Sequence, residues 1–242
     1  MNFLKKKIFY VLLGVLVVLT LSGCMMNLLD ITLDPGIYLG YSKNNNIPTT
    51  DDLLTYDESL GLYTITIPTS DLTYEEIDEG GAIFELSYYK IFYVKSDGNI
   101  ASASIPIWKD VVEDNNLEQI TIYLDTTKME EGKAVGAGDD TKLLQDWYFA
   151  GSWGAKTWDE DAIKFERQGD VLVATISKEF KANDTIKYKI KPTPGWQPWH
   201  MIFNGEVYSD ASDDAVYTLK SDTNELTVKF YPKISYIEFE EK

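Results

Sequence analysis

The sequence predicts an all-β chain: two tandem β-sandwich modules behind a short export segment. Three observations carry this reading. Apolar and polar residues alternate with period two in many short segments, and no long amphipathic helix interrupts them. Turn clusters such as Ser96-Asp97-Gly98-Asn99, Gln168-Gly169-Asp170, Ala182-Asn183-Asp184 and Phe203-Asn204-Gly205 separate those segments. The strand signals also come round twice in the same order, as a diverged duplication would leave them.

Taken from the start, Lys5, Lys6 and Lys7 form a basic lead, and Ile8 to Leu21 is an uncharged apolar run. At roughly 14 residues it falls short of the about 20 that a spanning helix needs. It has the length of a signal-peptide core. The run ends in Leu21-Ser22-Gly23-Cys24, which resembles the bacterial lipobox: small residues fit the peptidase cleft and the thiol takes up diacylglycerol. The resemblance implies a signal peptide over residues 1–23 and a lipidated Cys24 as the first mature residue. Cys24 is the only cysteine, so lipidation accounts for a thiol otherwise left over, and the fold stands without a disulfide. Each buried lipid methylene adds about 0.8 kcal/mol of membrane affinity. The expected place is the exported face of a cell membrane or outer membrane. Residues 24–34 read as a tether, apolar at Leu28 and Leu29.

The first module is expected over 35–125 and the second over 146–242, each near the size of an immunoglobulin-like sandwich. Gly36 to Ser42 opens the first, Gly61 to Pro68 and Ala82 to Tyr89 follow, and Gln119 to Leu124 closes it. Trp147 to Trp153, Val171 to Ile176, Ile186 to Ile190 and Glu225 to Tyr231 are the counterparts in the second. All are rich in β-branched and aromatic residues. The stretch 126–145, with Glu130-Glu131-Gly132-Lys133 and Gly136-Ala137-Gly138-Asp139-Asp140, is small, charged and glycine-rich, and reads as a linker.

Composition narrows function. The chain carries 39 Asp plus Glu against 22 Lys plus Arg, a net charge of −17, which argues against nucleic acid and against a polybasic membrane patch. A neutral ligand, or simple solubility, suits it. The one histidine, His200, cannot make a usual zinc site alone, and no Gly-x-Ser-x-Gly or His-Glu-x-x-His pattern occurs. No catalytic set, metal site or cofactor is expected; the one enzymatic alternative is a paired-carboxylate glycosidase, and most of the 39 acids read instead as solvated surface in turns and between strands. Asp210 to Asp214 is acidic enough for calcium but lacks the spacing of an EF-hand loop.

Five of the six tryptophans fall between Trp147 and Trp199. Trp147 and Trp153 flank an opening strand and read as core. Trp196 and Trp199 lie in Lys191-Pro192-Thr193-Pro194-Gly195-Trp196-Gln197-Pro198-Trp199, which the prolines and glycine keep rigid and non-helical. An exposed indole stacks on the C–H face of a sugar ring while neighbouring polar groups bond its hydroxyls. Such stacking is worth roughly 1–2 kcal/mol per sugar.

The run Phe149-Ala150-Gly151-Ser152-Trp153, then Trp158, then Ile186-Lys187-Tyr188-Lys189, then Trp196, resembles starch- and glycogen-binding β-sandwich modules of surface-anchored bacterial lipoproteins. It covers residues 147 to about 231, and residues 36 to 124 by strand order alone. The resemblance implies a non-catalytic protein that holds an oligosaccharide or polysaccharide, such as α-glucan, at the cell surface. It nominates Trp158, Trp196, Lys187 and Lys189 as carbohydrate-binding residues, and Trp199 extends the platform. The chain departs from the pattern in its proline-enlarged Trp196 loop and in a first module with only Trp108. The competing expectation is a structural or protein-interaction lipoprotein of the envelope, with the tryptophans as core or partner patch.

Overall fold

The computed structural model describes residues 33–153, 162–195, 198–208 and 214–242; the expected signal segment and Cys24 lie outside the described residues. The first half contains β1 (Gly36–Tyr41), β2 (Thr55–Asp57), β3 (Leu62–Pro68), β4 (Glu75–Glu79), β5 (Ala82–Val94), β6 (Ile100–Ala101) and β7 (Ile105–Trp108). A short helix, α1 (Lys109–Asp114), then leads to β8 (Gln119–Leu124) and β9 (Ala137–Asp139). The second half contains β10 (Tyr148–Gly151), β11 (Ile163–Lys164), β12 (Glu166–Gln168), β13 (Val171–Phe180), β14 (Thr185–Lys191), β15 (Ala215–Thr218), β16 (Thr223–Tyr231) and β17 (Tyr236–Glu241).

The fold is all-β, as expected, with four antiparallel sheets, two to each half. In the first half β1 and β4 flank β5, with β6 and β7 also on β5, and the second sheet runs β2-β3-β8-β9. In the second half the sheets run β11-β10-β14-β15 and β12-β13-β16-β17. The twofold recurrence read from the sequence reappears as pairing. The opening strand β1 lies against β5 as β10 lies against β14, and the order β2-β3-β8-β9 returns as β12-β13-β16-β17.

Alternation explains the burial. Ile120, Ile122 and Leu124 of β8, and Leu226, Val228 and Phe230 of β16, point to one side and are fully buried. In β13 Leu172, Ala174 and Ile176 do the same, and a register shift between Ser177 and Phe180 returns Phe180 to the core. The two sheets of the second half meet where Phe149, Tyr188 and Tyr217 pack on Phe239, ring centroids 6.1, 5.2 and 3.9 Å away. The charged strand β4 owes its place to a two-residue turn. Gly80 (φ 67°) and Gly81 (φ 96°) both take the left-handed conformation that such hairpins need.

The segment 126–145 departs from the linker expectation. It carries β9 and a 3-10 turn at Asp140–Leu143, and Ala134, Ala137, Asp139 and Lys142 are fully buried. Its small residues serve close backbone approach rather than flexibility. A Cβ on Gly138 would lie 2.5 Å from the carbonyl oxygen of Pro232. Gly136 N–H donates to Ile234 O at 2.8 Å and Ala134 N–H to Glu206 O at 2.6 Å. Residues 35–242 accordingly form one compact unit, and one apolar cluster runs from Ile37 in the first half to Phe230 in the second.

Charge is buried at this junction. Asp139 Oδ2 accepts from Tyr89 OH and Lys142 Nζ, each at 3.0 Å, and Asp139 Oδ1 accepts from the backbone and hydroxyl of Thr141. Lys142 Nζ also donates to Pro106 O and lies 5.6 Å from the ring centroid of Tyr208. Every strong donor and acceptor in this set is met, which is the condition under which a buried ion pair survives. Burial and the Asp139 charge push the Tyr89 hydroxyl well above its ordinary value. Burial also lifts Asp140 next door, to about 6.

Candidate functional site

Of the nominated residues, Lys187 and Lys189 lie in β14, and Trp199 lies in the chain between β14 and β15. Strand β14 alternates Lys187, Lys189 and Lys191 on one face. Lys187 is exposed, and its N–H donates to Ser152 Oγ at 3.0 Å. Lys189 and Lys191 are not exposed, because the chain after β14 folds back over the end of the strand. Phe203 bridges to Ile190, and Met201, Ile202 and Phe203 are buried. Beneath them Lys191 Nζ donates to Pro194 O at 2.9 Å, and Lys189 pairs with Asp214 at 3.5 Å with 5% of its surface exposed. Lys189 is thus a buried ion-pair member rather than a group offered to a ligand hydroxyl. Most of the acidic stretch at 210–214 lies outside the described residues, and its Asp214 is the Lys189 partner.

Trp199 opens a 3-10 turn, Trp199–Met201, after the buried Pro198, and is 37% exposed. Its backbone is held from the other half of the molecule. Glu79, the last residue of β4 and 1% exposed, accepts from Trp199 N–H, from His200 N–H at 3.2 Å, and meets His200 Nδ1 at 2.6 Å. A carboxylate bonded to two successive backbone donors holds such a turn firmly. The indole that stands outside is therefore carried on a fixed mount. Nothing in the string Glu75-Glu76-Ile77-Asp78-Glu79 distinguishes Glu79 from a surface acid; only the Gly80-Gly81 turn, which aims the strand end, marks the position.

Trp158 and Trp196 lie outside the described residues. Trp199 and Lys187 therefore sit on different elements, the first anchored to β4 and the second exposed on β14. Trp147 and Trp153 are core, as their place around the opening strand suggested. Trp147 is 1% exposed, donates from Nε1 to Lys142 O at 2.7 Å and meets Phe230 edge-on at 5.5 Å. Trp153 stacks on Phe149 at 4.8 Å, and Tyr188 stacks on the same ring at 5.4 Å. A Cβ on Gly151 would fall 2.3 Å from the Trp153 ring and 2.4 Å from Lys187 O. Phe149, Ala150, Trp153 and Tyr188 of the described pattern thus build the second sandwich's core, while Ser152 and Lys187 face out.

A concavity of about 430 Å³ lies at the start of β1 and is lined by Leu53, Tyr63, Tyr93 and Lys95 among others. Lys95 already covers the Tyr93 ring, its Nζ 4.5 Å from the centroid. No described helix is long and apolar enough to cross a membrane. Comparison with protein-family profiles, curated proteins and solved structures finds no match in any of the three.

Proposed function

We propose that this chain is a non-catalytic, lipid-anchored protein of the cell surface that binds a glycan, with α-glucan as the first candidate. Cys24 would carry the lipid. Trp199 would provide a stacking surface, joined by Trp158 and Trp196, with Lys187 able to reach sugar hydroxyls from the exposed face of β14. The observation that supports this best is the mounting of Trp199: a partly exposed indole on a turn whose two N–H groups are bound by the buried carboxylate of Glu79. A preorganised aromatic surface loses little entropy when a flexible oligosaccharide settles on it. The acidic chain suits an uncharged ligand, so binding should depend weakly on salt.

The test is titration with maltoheptaose, read by indole fluorescence and calorimetry. Trp199→Ala should fold normally and weaken binding by about 1–2 kcal/mol, some five- to thirty-fold. Unchanged affinity in that variant removes Trp199 from the site. A wild-type protein that binds no member of a wider glycan panel transfers the surface to the competing reading, a spacer or protein-interaction lipoprotein.

A further inference from the structure

One edge of β5 carries two strands in succession. Residue 86 pairs with Glu75 of β4, and residue 89 pairs with Tyr41 of β1. Both residues also pair with β7, which therefore runs along the opposite edge. Ser87 and Tyr88 lie between the two partners, with no strand beside them on the β1/β4 edge. This break in the sheet opens into a notch of about 240 Å³.

The lining is mostly polar. The exposed side chains of Asn45, Asn46, Thr73 and Glu75 and the half-buried Tyr88 line it without a side-chain hydrogen bond or ion pair among the described residues, whereas the Ser42 hydroxyl, also in the lining, is bonded to Asp71 O and Thr73 N–H. Ser87, also in the lining, is the buried exception among these polar groups: it is 2% exposed, and its Oγ has no partner. Buried polar atoms are rarely left unmet without a reason.

The loop that presents them is firmly built. Asn44 accepts from Tyr41 N–H at 2.8 Å and donates to Leu39 O at 3.1 Å and to Asp52 at 2.9 Å; Ser42 Oγ accepts from Thr73 N–H at 2.8 Å. This bracing holds Asn45 (φ 53°) and Asn46 (φ 62°) in successive left-handed conformations, which costs energy at non-glycine residues.

The chemistry selects a ligand class. The one charged lining group is a carboxylate, so an anion is repelled, and one carboxylate is too few for a hard metal ion. Donors and acceptors are mixed, and the Tyr88 ring adds an aromatic wall. The volume is below that of a pocket for a drug-sized ligand and fits a single ring. We propose that this notch binds one neutral pyranose residue, giving the first half a sugar site of its own. The proposal shares its ligand class with the glycan reading above and none of its residues.

The experiment titrates the full chain with glucose, galactose, mannose and N-acetylglucosamine, each to tens of millimolar, followed by calorimetry and saturation-transfer NMR. At least one sugar should saturate a site. Glu75→Gln should weaken that site about ten-fold, as loss of a charge-assisted hydrogen bond does. The double variant Asn45→Gly, Asn46→Gly deletes both carboxamides, keeps the left-handed backbone and so preserves the fold; it should weaken the site at least as much. Trp199→Ala should leave it unchanged. Failure of all four sugars to bind, or binding that ignores both notch variants, overturns this inference and leaves the Trp199 reading to its own maltoheptaose test. Sugar binding lost only with Trp199→Ala likewise assigns it away from the notch.

Discussion

A single carboxylate shows how local the energetics of this protein are. Asp140 accepts from Thr121 N–H through Oδ2 at 3.2 Å, while its Oδ1 is buried without a partner. Burial, with Asp139 beside it, lifts its pKa from 3.8 to about 6. The folded state therefore holds this proton more tightly than the unfolded state. The resulting stability is complete below pH 3.8 and is lost as pH rises through about 6. Asp140→Asn keeps the acceptor for Thr121 and removes the charge. Chemical denaturation at pH 7 should show the variant more stable by about 1 kcal/mol, with the remainder of the shift screened by solvent. Its stability profile should be flatter than wild type between pH 4 and 6. A variant less stable at pH 7 would mean that the ionised form is the one the fold prefers. The sequence marks Asp140 only as one of several acids in a glycine-rich stretch, because what singles it out is the tertiary covering. Gly151 differs in kind: its place between an apolar strand and Trp153 was visible, and the packing of Trp153 over it supplies the reason.

Elements were legible in proportion to their apolar periodicity. β3, β8, β13 and β16 announce themselves through β-branched alternation, and their observed spans follow it. β4 contains one apolar residue, Ile77, and β9 is Ala-Gly-Asp, so neither has a period to read. Both are strands because a neighbour pairs with them. β17 closes the chain, and its last residue, Glu241, ties down the turn between β15 and β16. Its carboxylate accepts from Tyr217 OH at 2.7 Å, Lys220 N–H at 2.8 Å, and Ser221 N–H and Oγ at 2.8 and 2.6 Å. Desolvation opposes ionisation there, but these bonds outweigh it and hold the pKa down at about 2. A depressed carboxylate gives stability that is present above its ordinary value of 4.5 and is lost as pH falls toward 2. Glu241→Gln should lower stability at pH 7 and reduce the loss between pH 4.5 and 2, measured by acid titration of the tyrosine signal. Equal acid sensitivity in wild type and variant would deny the turn this role.

At the level of the whole molecule, the two sandwiches were legible, and their fusion was not. Glycine and charge between two strand sets ordinarily mean an open connector. Here the glycines allow backbone contact, and the charges neutralise each other out of water. Limited proteolysis should therefore spare Ala134 to Leu143, since that backbone is buried and bonded to the second half. Rapid cleavage inside that stretch would restore the connector reading. Lys142→Met leaves Asp139 buried without its cation and should cost about 3–5 kcal/mol, with one cooperative unfolding transition lost earlier rather than two separating. Adding Asp139→Asn should recover part of that loss in a double-mutant cycle. The backbone seam at Gly138 and Pro232, together with the reach of Glu79 to Trp199, has an evolutionary corollary. Two halves that have grown together in this way cannot be exchanged or trimmed one at a time. Each half changes only along paths that the other permits, so substitutions at the seam should come in compensating pairs while positions elsewhere vary freely.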